Sequence, residues 1–474
     1  MTNWLPDLSK GTGPLYLRLA DQIETDIGDG ALPPGEKLPP QRNLAFDIGV
    51  TIGTVTRAYA VARERGLVSG EVGRGTYVLD RNVEDPPARS AAQPLPERLA
   101  IIPEATPAQI KIRMDTTSAP DVGQAAIIHD LLGQITLKHA DKIGDYTRSW
   151  PQEWRDAGRK WLANGDWAPD AQTIVPTTGV HAAIMAVIAA VTAPGDKIAF
   201  EQLTYASISR SANLIGRRSV VFANDGQGAD AEDFERLCAQ QHPKLVFLMP
   251  AMQNPTLSVV PSERLKAIVE VARKYNVWLI EDAIYATLLE PKYTTLASLA
   301  PERTFHVGGL SKAVAAGVRG GFAACPAHMA PRVQTAHKMV TGGLPFILAE
   351  LTAQLINAGH AEVIRDKVRR EIAEREAIAR RIFQGFDFSS HRNIPYLWLK
   401  LPEPWLSGTF KQVAANEGVL IDDEDEYKPA RAEKVFHRVR IGFSMPSKRE
   451  QVAGGFNTLR RLLDHGSAGY DSYG

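Results

Sequence analysis

The chain has 474 residues, enough for two or more domains, and its 44% hydrophobic and 23% charged content is that of a soluble globular protein with a large core. Its formal net charge is zero, with 54 Lys and Arg against 54 Asp and Glu, so no whole-chain basic field advertises nucleic acid and any DNA contact has to come from a local surface. The cysteines, Cys238 and Cys325, lack paired spacing, which argues against a disulfide scaffold or metal site, and with no membrane-length apolar run and no export signal the expected location is cytoplasmic.

A helical pattern opens after Gly13-Pro14. Leu15, Leu19, Ile23 and Ile27 repeat every four residues, with Asp21, Glu24 and Asp26 on the other face, and glycines from Gly28 to Gly30 end it. Pro33-Pro34-Gly35 signals a turn. A short helix is predicted from Pro40 to Ile48, stopped by Gly49, and another from a Thr51 cap to Arg65, closed by Gly66. Two short helices across a tight glycine-containing turn make a helix-turn-helix pattern. Val55, Ala58, Tyr59 and Ala62 are placed toward the core. Thr51, Thr54 and Arg57 share another face and offer hydroxyls and a guanidinium to phosphates and base edges. The run from Leu67 to Val78 reads as a hairpin with Gly73-Arg74-Gly75 at its tip, a wing that brings Arg74 within reach of a minor groove.

Leu38-Pro39-Pro40-Gln41-Arg42-Asn43-Leu44-Ala45, Gly49-Val50-Thr51, Thr54-Val55-Thr56-Arg57-Ala58-Tyr59 and Gly73-Arg74-Gly75-Thr76-Tyr77-Val78 together resemble the GntR-type winged helix-turn-helix over residues 12–80. The resemblance implies contacts to a double-stranded DNA operator from Arg42, Thr51, Thr54, Arg57 and the wing residues Gly73, Arg74, Gly75 and Thr76. Ile52 stands where many members carry a guanine-reading arginine, and acidic residues slightly outnumber basic ones in the module. A winged helix used only for dimer contacts is the alternative.

Residues 81–110 change character. Pro86, Pro87, Pro94, Pro96, Pro103 and Pro107 interrupt an Ala-rich, polar stretch that suits a semi-extended tether. It is either a plain spacer or a device whose length sets how domains are exchanged between subunits.

Over 111–474, strand-like apolar runs alternate with helical patterns. Strands are expected at Ile174-Val175, Lys197 to Phe200, Ser219 to Phe222, Leu245 to Met249, Val277 to Ile280 and Thr304 to Val307, with helices from Val180 to Val191 and from Pro261 to Tyr275. This alternation predicts an α/β domain with a largely parallel sheet, whose ligands sit at the carboxyl ends of strands. Polar groups stand at those ends: Gly179 before a helix start, Asn254-Pro255, Glu281-Asp282 and Lys312.

Each has a chemical task in one scheme. A lysine held among small residues, as in Gly308-Gly309-Leu310-Ser311-Lys312, loses its proton when desolvated and forms a Schiff base with a carbonyl cofactor such as pyridoxal phosphate (PLP). A buried Asp282 keeps that cofactor's ring nitrogen protonated. Tyr285 and Asn254 hydrogen-bond its phenolate oxygen. Ser311 and Arg319 bind its phosphate together with Gly179, Val180 and His181 at the helix start, and Tyr205 stacks on its ring. Tyr205 as a core aromatic, and His181 as a capping or packing residue, are the plainer readings.

The pieces Gln253-Asn254-Pro255-Thr256, Glu281-Asp282-Ala283-Ile284-Tyr285, Ser311-Lys312 and Gly317-Val318-Arg319-Gly320-Gly321 resemble the fold-type I aminotransferases, the α/β PLP-dependent transferases. Val439-Arg440-Ile441-Gly442-Phe443-Ser444 matches that family's carboxylate-binding arginine, which implies Arg440 as the grip on an effector carboxylate. There are departures: Leu257 follows Asn-Pro-Thr where glycine is usual, Trp150 replaces another glycine, and Gly309 replaces the first serine of a Ser-x-Ser-Lys run. The acidic run Asp422-Asp423-Glu424-Asp425-Glu426 is read either as a solvated loop or as a selector of cationic effectors.

A GntR head joined by such a linker to an aminotransferase-like body is similar to the MocR-type regulators. This resemblance implies a multidomain, PLP-binding transcription regulator, a head-to-tail homodimer that senses PLP or an amino compound through its body. The competing expectation is a working PLP-dependent aminotransferase acting on an amino acid.

Overall fold

The computed structural model describes residues 4–8, 14–71, 75–79, 111–289, 293–430 and 434–470. The chain divides into two compact units between residues 102 and 103. The wing residues Gly73 and Arg74, the whole 81–110 stretch, and the Arg42 side chain lie outside the described residues.

The first unit contains α1 (Leu15–Gly28), α2 (Gln41–Asp47), α3 (Ile52–Glu64), β1 (Val68–Glu71) and β2 (Gly75–Val78). Leu19, Ile23, Leu44, Val55, Ala58 and Ala62 are fully buried between them. The Thr51 hydroxyl accepts the Thr54 N–H at 3.2 Å, which satisfies one of the free donors at the start of α3. Tyr59 donates its hydroxyl to the Pro39 carbonyl at 2.8 Å and ties α3 to the turn before α2. β1 and β2 pair antiparallel, Val68 opposite Val78. The segment after Pro33-Pro34-Gly35 joins them: Val78 N–H donates to Glu36 at 2.9 Å and Leu38 N–H to Thr76 at 2.8 Å. The sequence suggests only a turn there, because so short a ladder between prolines has no period to detect.

The second unit is built on a seven-stranded sheet. Its strands are β3 (Ile174–Thr177), β4 (Lys197–Glu201), β5 (Arg218–Phe222), β6 (Leu245–Leu248), β7 (Trp278–Asp282), β8 (Thr304–Gly309) and β9 (Gly321–Ala324). The order is β3-β9-β8-β7-β6-β4-β5. β9 runs antiparallel to both neighbours and the other pairings are parallel. α4 (Val180–Val191) is apolar nearly all round and accordingly buried, with Ala183, Ile184, Ala186, Val187 and Ile188 fully enclosed. α5 (Ser262–Lys274) is amphipathic; Leu265, Ile268, Val269 and Ala272 face inward.

A long helix, α6 (His360–Ile382), leads to an antiparallel four-stranded sheet, β10 (Phe388–Ser390), β11 (Tyr396–Lys400), β12 (Asp422–Asp423) and β13 (Arg438–Gly442), ordered β10-β11-β13-β12. Buried Arg375 of α6 donates to the carbonyls of Phe443, Ser444 and Pro446 and fixes the chain beyond β13. The segment entering this unit is held in place by two backbone bonds, Ile112 N–H to Gly418 and Met114 N–H to Leu420, both 2.8 Å. That clamp delivers Asp115, Thr116 and Thr117 to the sheet's carboxyl edge. Among the described residues, no helix is long and apolar enough to cross a membrane.

Candidate functional site

At the carboxyl edge of the large sheet lies a cavity of about 280 Å³. Every candidate residue of the second unit lines it: Lys312, Asp282, Tyr285, Asn254, Arg319, Ser311, Gly179, Val180, His181, Tyr205 and Arg440. The loops after β3, β6, β7 and β8 supply most of them, as the α/β rule predicts.

Lys312 donates to the Thr117 carbonyl at 2.6 Å and to its hydroxyl at 3.3 Å. Burial pulls its ammonium down to about 8, the Arg440 cation assists, and Asp282 opposes. Asp282 is 4% exposed. Its carboxylate accepts the Ile284 N–H at 2.9 Å, yet burial still pushes it up to about 7. The Tyr285 hydroxyl meets that of Thr117 at 2.7 Å, and burial raises its pKa.

At the other wall, Gly179 caps α4 with φ 97°, a conformation costly for any side chain. A Cβ there would come 3.7 Å from the Arg319 guanidinium carbon, so Arg319 lies over the start of α4. His181 lies 3.3 Å from the Ser211 hydroxyl and edge-on to Tyr205, and burial lowers its pKa. Gly309 has a packing cause: a Cβ would sit 2.6 Å from the Gly320 carbonyl oxygen and 3.0 Å from Val180. Leu257, at the usual glycine position, takes φ 62° and keeps the left-handed backbone despite its side chain.

Arg440 is 7% exposed. Nη1 donates to Asn254 Oδ1 at 3.1 Å, and Nη2 to the Asp115 carbonyl at 3.1 Å and to Asp422 Oδ2 at 2.7 Å. The rings of Tyr427 and Tyr396 flank it at 4.9 and 5.3 Å. The acidic run is therefore no solvated loop. Glu424 is 1% exposed and accepts the N–H groups of Phe436 and Arg438, and Asp422 pairs with Arg440 across the β12–β13 register.

Sequence reasoning missed Thr117, Asp115 and the Asp422 pairing. Thr117 is 195 residues from Lys312, and no local pattern marks a threonine that enters a site through such a clamp.

In the first unit, Thr51 and Arg57 are exposed, and Thr54 and Thr76 half-buried. The Thr51 and Thr54 hydroxyls meet at 2.9 Å. The Arg57 guanidinium lies 4.1 Å over the Tyr16 ring of α1, which fixes its direction. Gly75 opens β2.

Residues 134–447 match the family model for aminotransferase class I and II. The chain belongs to that family. Residues 15–78 match the bacterial regulatory proteins of the gntR family, so this member carries a GntR-type head on its aminotransferase-like body. The HTH-type transcriptional regulator YdeF of Bacillus subtilis is 29% identical over 98% of this chain and 97% of its own length. The probable rhizopine catabolism regulatory protein MocR of Rhizobium meliloti is 24% identical over 77% of this chain and 76% of its own. The two-part arrangement is that of the MocR-type regulators. An archaeal alanine:glyoxylate aminotransferase superposes with a TM-score of 0.67 at 21% identity, covering 75% of this chain and 91% of that one, which gives the fold of the body.

Proposed function

We propose that this family member binds PLP in its body and operator DNA with its head, and that PLP, or an amino compound joined to it, sets the DNA affinity. The observation that carries this reading is the convergence of Lys312, Asp282, Tyr285, Arg319 and the start of α4 on one cavity in a chain with a GntR-type head.

The residues fit the cofactor by their chemistry. When bound, PLP supplies an aldehyde that takes an amine as an imine and a ring that withdraws electrons from it. Lys312, its pKa lowered to about 8, offers a free amine near neutral pH. Asp282, buried and short of partners, gains a counter-charge from a protonated ring nitrogen. Tyr285 and Asn254 hydrogen-bond the phenolate oxygen. Arg319, Ser311 and the N–H groups of Val180 and His181 hold the phosphate, and Tyr205 covers the ring. In the head, Arg42, Thr51, Thr54, Arg57 and the wing from Gly73 to Thr76 contact an operator half-site. A head-to-tail homodimer in the cytoplasm presents two such heads to one operator.

The test is operator affinity measured by fluorescence anisotropy on the full chain, with and without PLP, and with Lys312→Ala. The expected result is a PLP-dependent change in affinity that the variant abolishes. Identical affinity under all these conditions would end the sensing part of the reading. A second reading, turnover as an aminotransferase, draws on the same lysine and aspartate. Sustained conversion of an amino acid with a keto acid present would favour it.

A further inference from the structure

The family arginine that takes a ligand carboxylate is already committed in this chain. A guanidinium grips a carboxylate with two prongs, end-on through Nη1 and Nη2 or side-on through Nε and Nη2. Both arrangements need a proton of Nη2. Here both Nη2 protons are engaged, one by the Asp115 carbonyl at 3.1 Å and one by Asp422 at 2.7 Å. Nε has no partner and is buried, but cannot form a two-pronged grip alone.

Asp422 is built in rather than incidental. The antiparallel register sets it opposite Arg440. Tyr427 donates its hydroxyl to the same carboxylate oxygen. Glu424, two residues on, is anchored by the N–H groups of Phe436 and Arg438 and by Lys428 at 3.0 Å. A ligand carboxylate arriving at Nη2 would meet a fixed anion. Beside Asp422 opens a second hollow of about 460 Å³ lined by Asp115, Asp422, Asp423, Glu426 and Lys411, whose ammonium lies 3.4 Å from Asp423 and 3.2 Å from Glu426.

Resting on the PLP reading above, we propose that Asp422 takes the place of a ligand carboxylate at Arg440, so that the effector is a primary amine carrying no carboxylate, its far end neutral or cationic. Asp422 is then a specificity-determining residue that excludes ordinary amino acids. The Arg440–Asp422 pair is neutral before any ligand enters, so the site asks for no carboxylate to complete it.

The test is calorimetric titration of the PLP-loaded full chain with 1,4-diaminobutane and with L-alanine, for the natural protein, Asp422→Ala and Asp422→Asn. The asparagine variant keeps a partner for Tyr427 and guards against misfolding. The natural protein is expected to bind the diamine at least tenfold more tightly than alanine, and the variants to tighten alanine binding at least tenfold. Alanine bound as tightly as the diamine by the natural protein, or alanine binding unmoved in both folded variants, would each overturn the proposal. Failure of the PLP reading looks different, because such a chain never acquires the cofactor's absorbance before any amine is added.

Discussion

At one end of the cavity Lys312 and Asp282 are buried, hydrogen-bonded to neutral groups and influenced by each other's charge without pairing, whereas at the other Arg440 faces the carboxylate of Asp422. Burial therefore pushes Lys312 and Asp282 toward their uncharged forms. Arg440, with Asp422 and three tyrosines around it, is held firmly charged. The difference separates two kinds of buried charge. A group without a counter-ion gains when a ligand supplies one. A cation already paired is part of the structure, and losing its partner costs more than the pair contributes.

The largest effect that tests this contrast is at Arg440. Arg440→Leu leaves half-buried Asp422 without its cation and is expected to destabilise the body by about 2–4 kcal/mol in urea denaturation, somewhat less than breaking a fully buried pair costs. Combining it with Asp422→Leu should recover most of that loss, because the two residues act as one unit. A single variant as stable as the natural protein would remove the structural half of the comparison.

Asp282 should respond in the opposite sense. Its pKa is raised from 3.8 to about 7, so its favourable contribution is complete below the lower value and lost as pH rises through the upper one. Around pH 8 the buried anion is a burden on the cofactor-free body. Asp282→Asn is expected to stabilise that form by about 2–4 kcal/mol and to weaken PLP binding. Thermal melts with and without PLP check both parts. A variant less stable than the natural cofactor-free protein would mean that Asp282 is not waiting for a partner.

Much of this was legible in the sequence, for reasons that differ by residue. Lys312, Asp282 and Asn254 sit at the ends of buried strands, and strand ends can be read from apolar runs. The α4 limits at Val180 and Val191 follow from a glycine before and a polar residue after a stretch that is apolar but for His181. Asp422 was visible only as one of five acidic residues. Its pairing depends on the register of β12 against β13, which a two-residue strand does not encode locally. Thr117 was invisible because its place is set by backbone bonds to Gly418 and Leu420, far along the chain. In the sequence Gly309 is only a departure from the usual serine, whereas packing against the Gly320 carbonyl explains it.

That packing gives the next test of the cofactor end. Gly309→Ser restores the family's hydroxyl but forces a Cβ against backbone, where no flexible side chain can yield. A loss of about 1–3 kcal/mol in body stability is expected, with no gain in PLP affinity. Tighter PLP binding in a stable variant would show that β8 and β9 separate more readily than their close approach suggests.

The smallest effect joins the two ends. Lys312 attacks an aldehyde only as the free amine. With its pKa lowered to about 8, PLP uptake should quicken roughly tenfold per pH unit below that value and level off above it. An ordinary lysine would keep the rate rising toward 10.5. Arg440 is the second cause of the lowering, after burial, so its removal should move the bend to higher pH. Asp422→Ala should move it lower, because the Arg440 charge would then act on Lys312 without a neutralising neighbour. Stopped-flow absorbance across this range reads all three proteins. Bends that coincide would mean that Asp422 does not tune the lysine, and that the two ends of the cavity work independently.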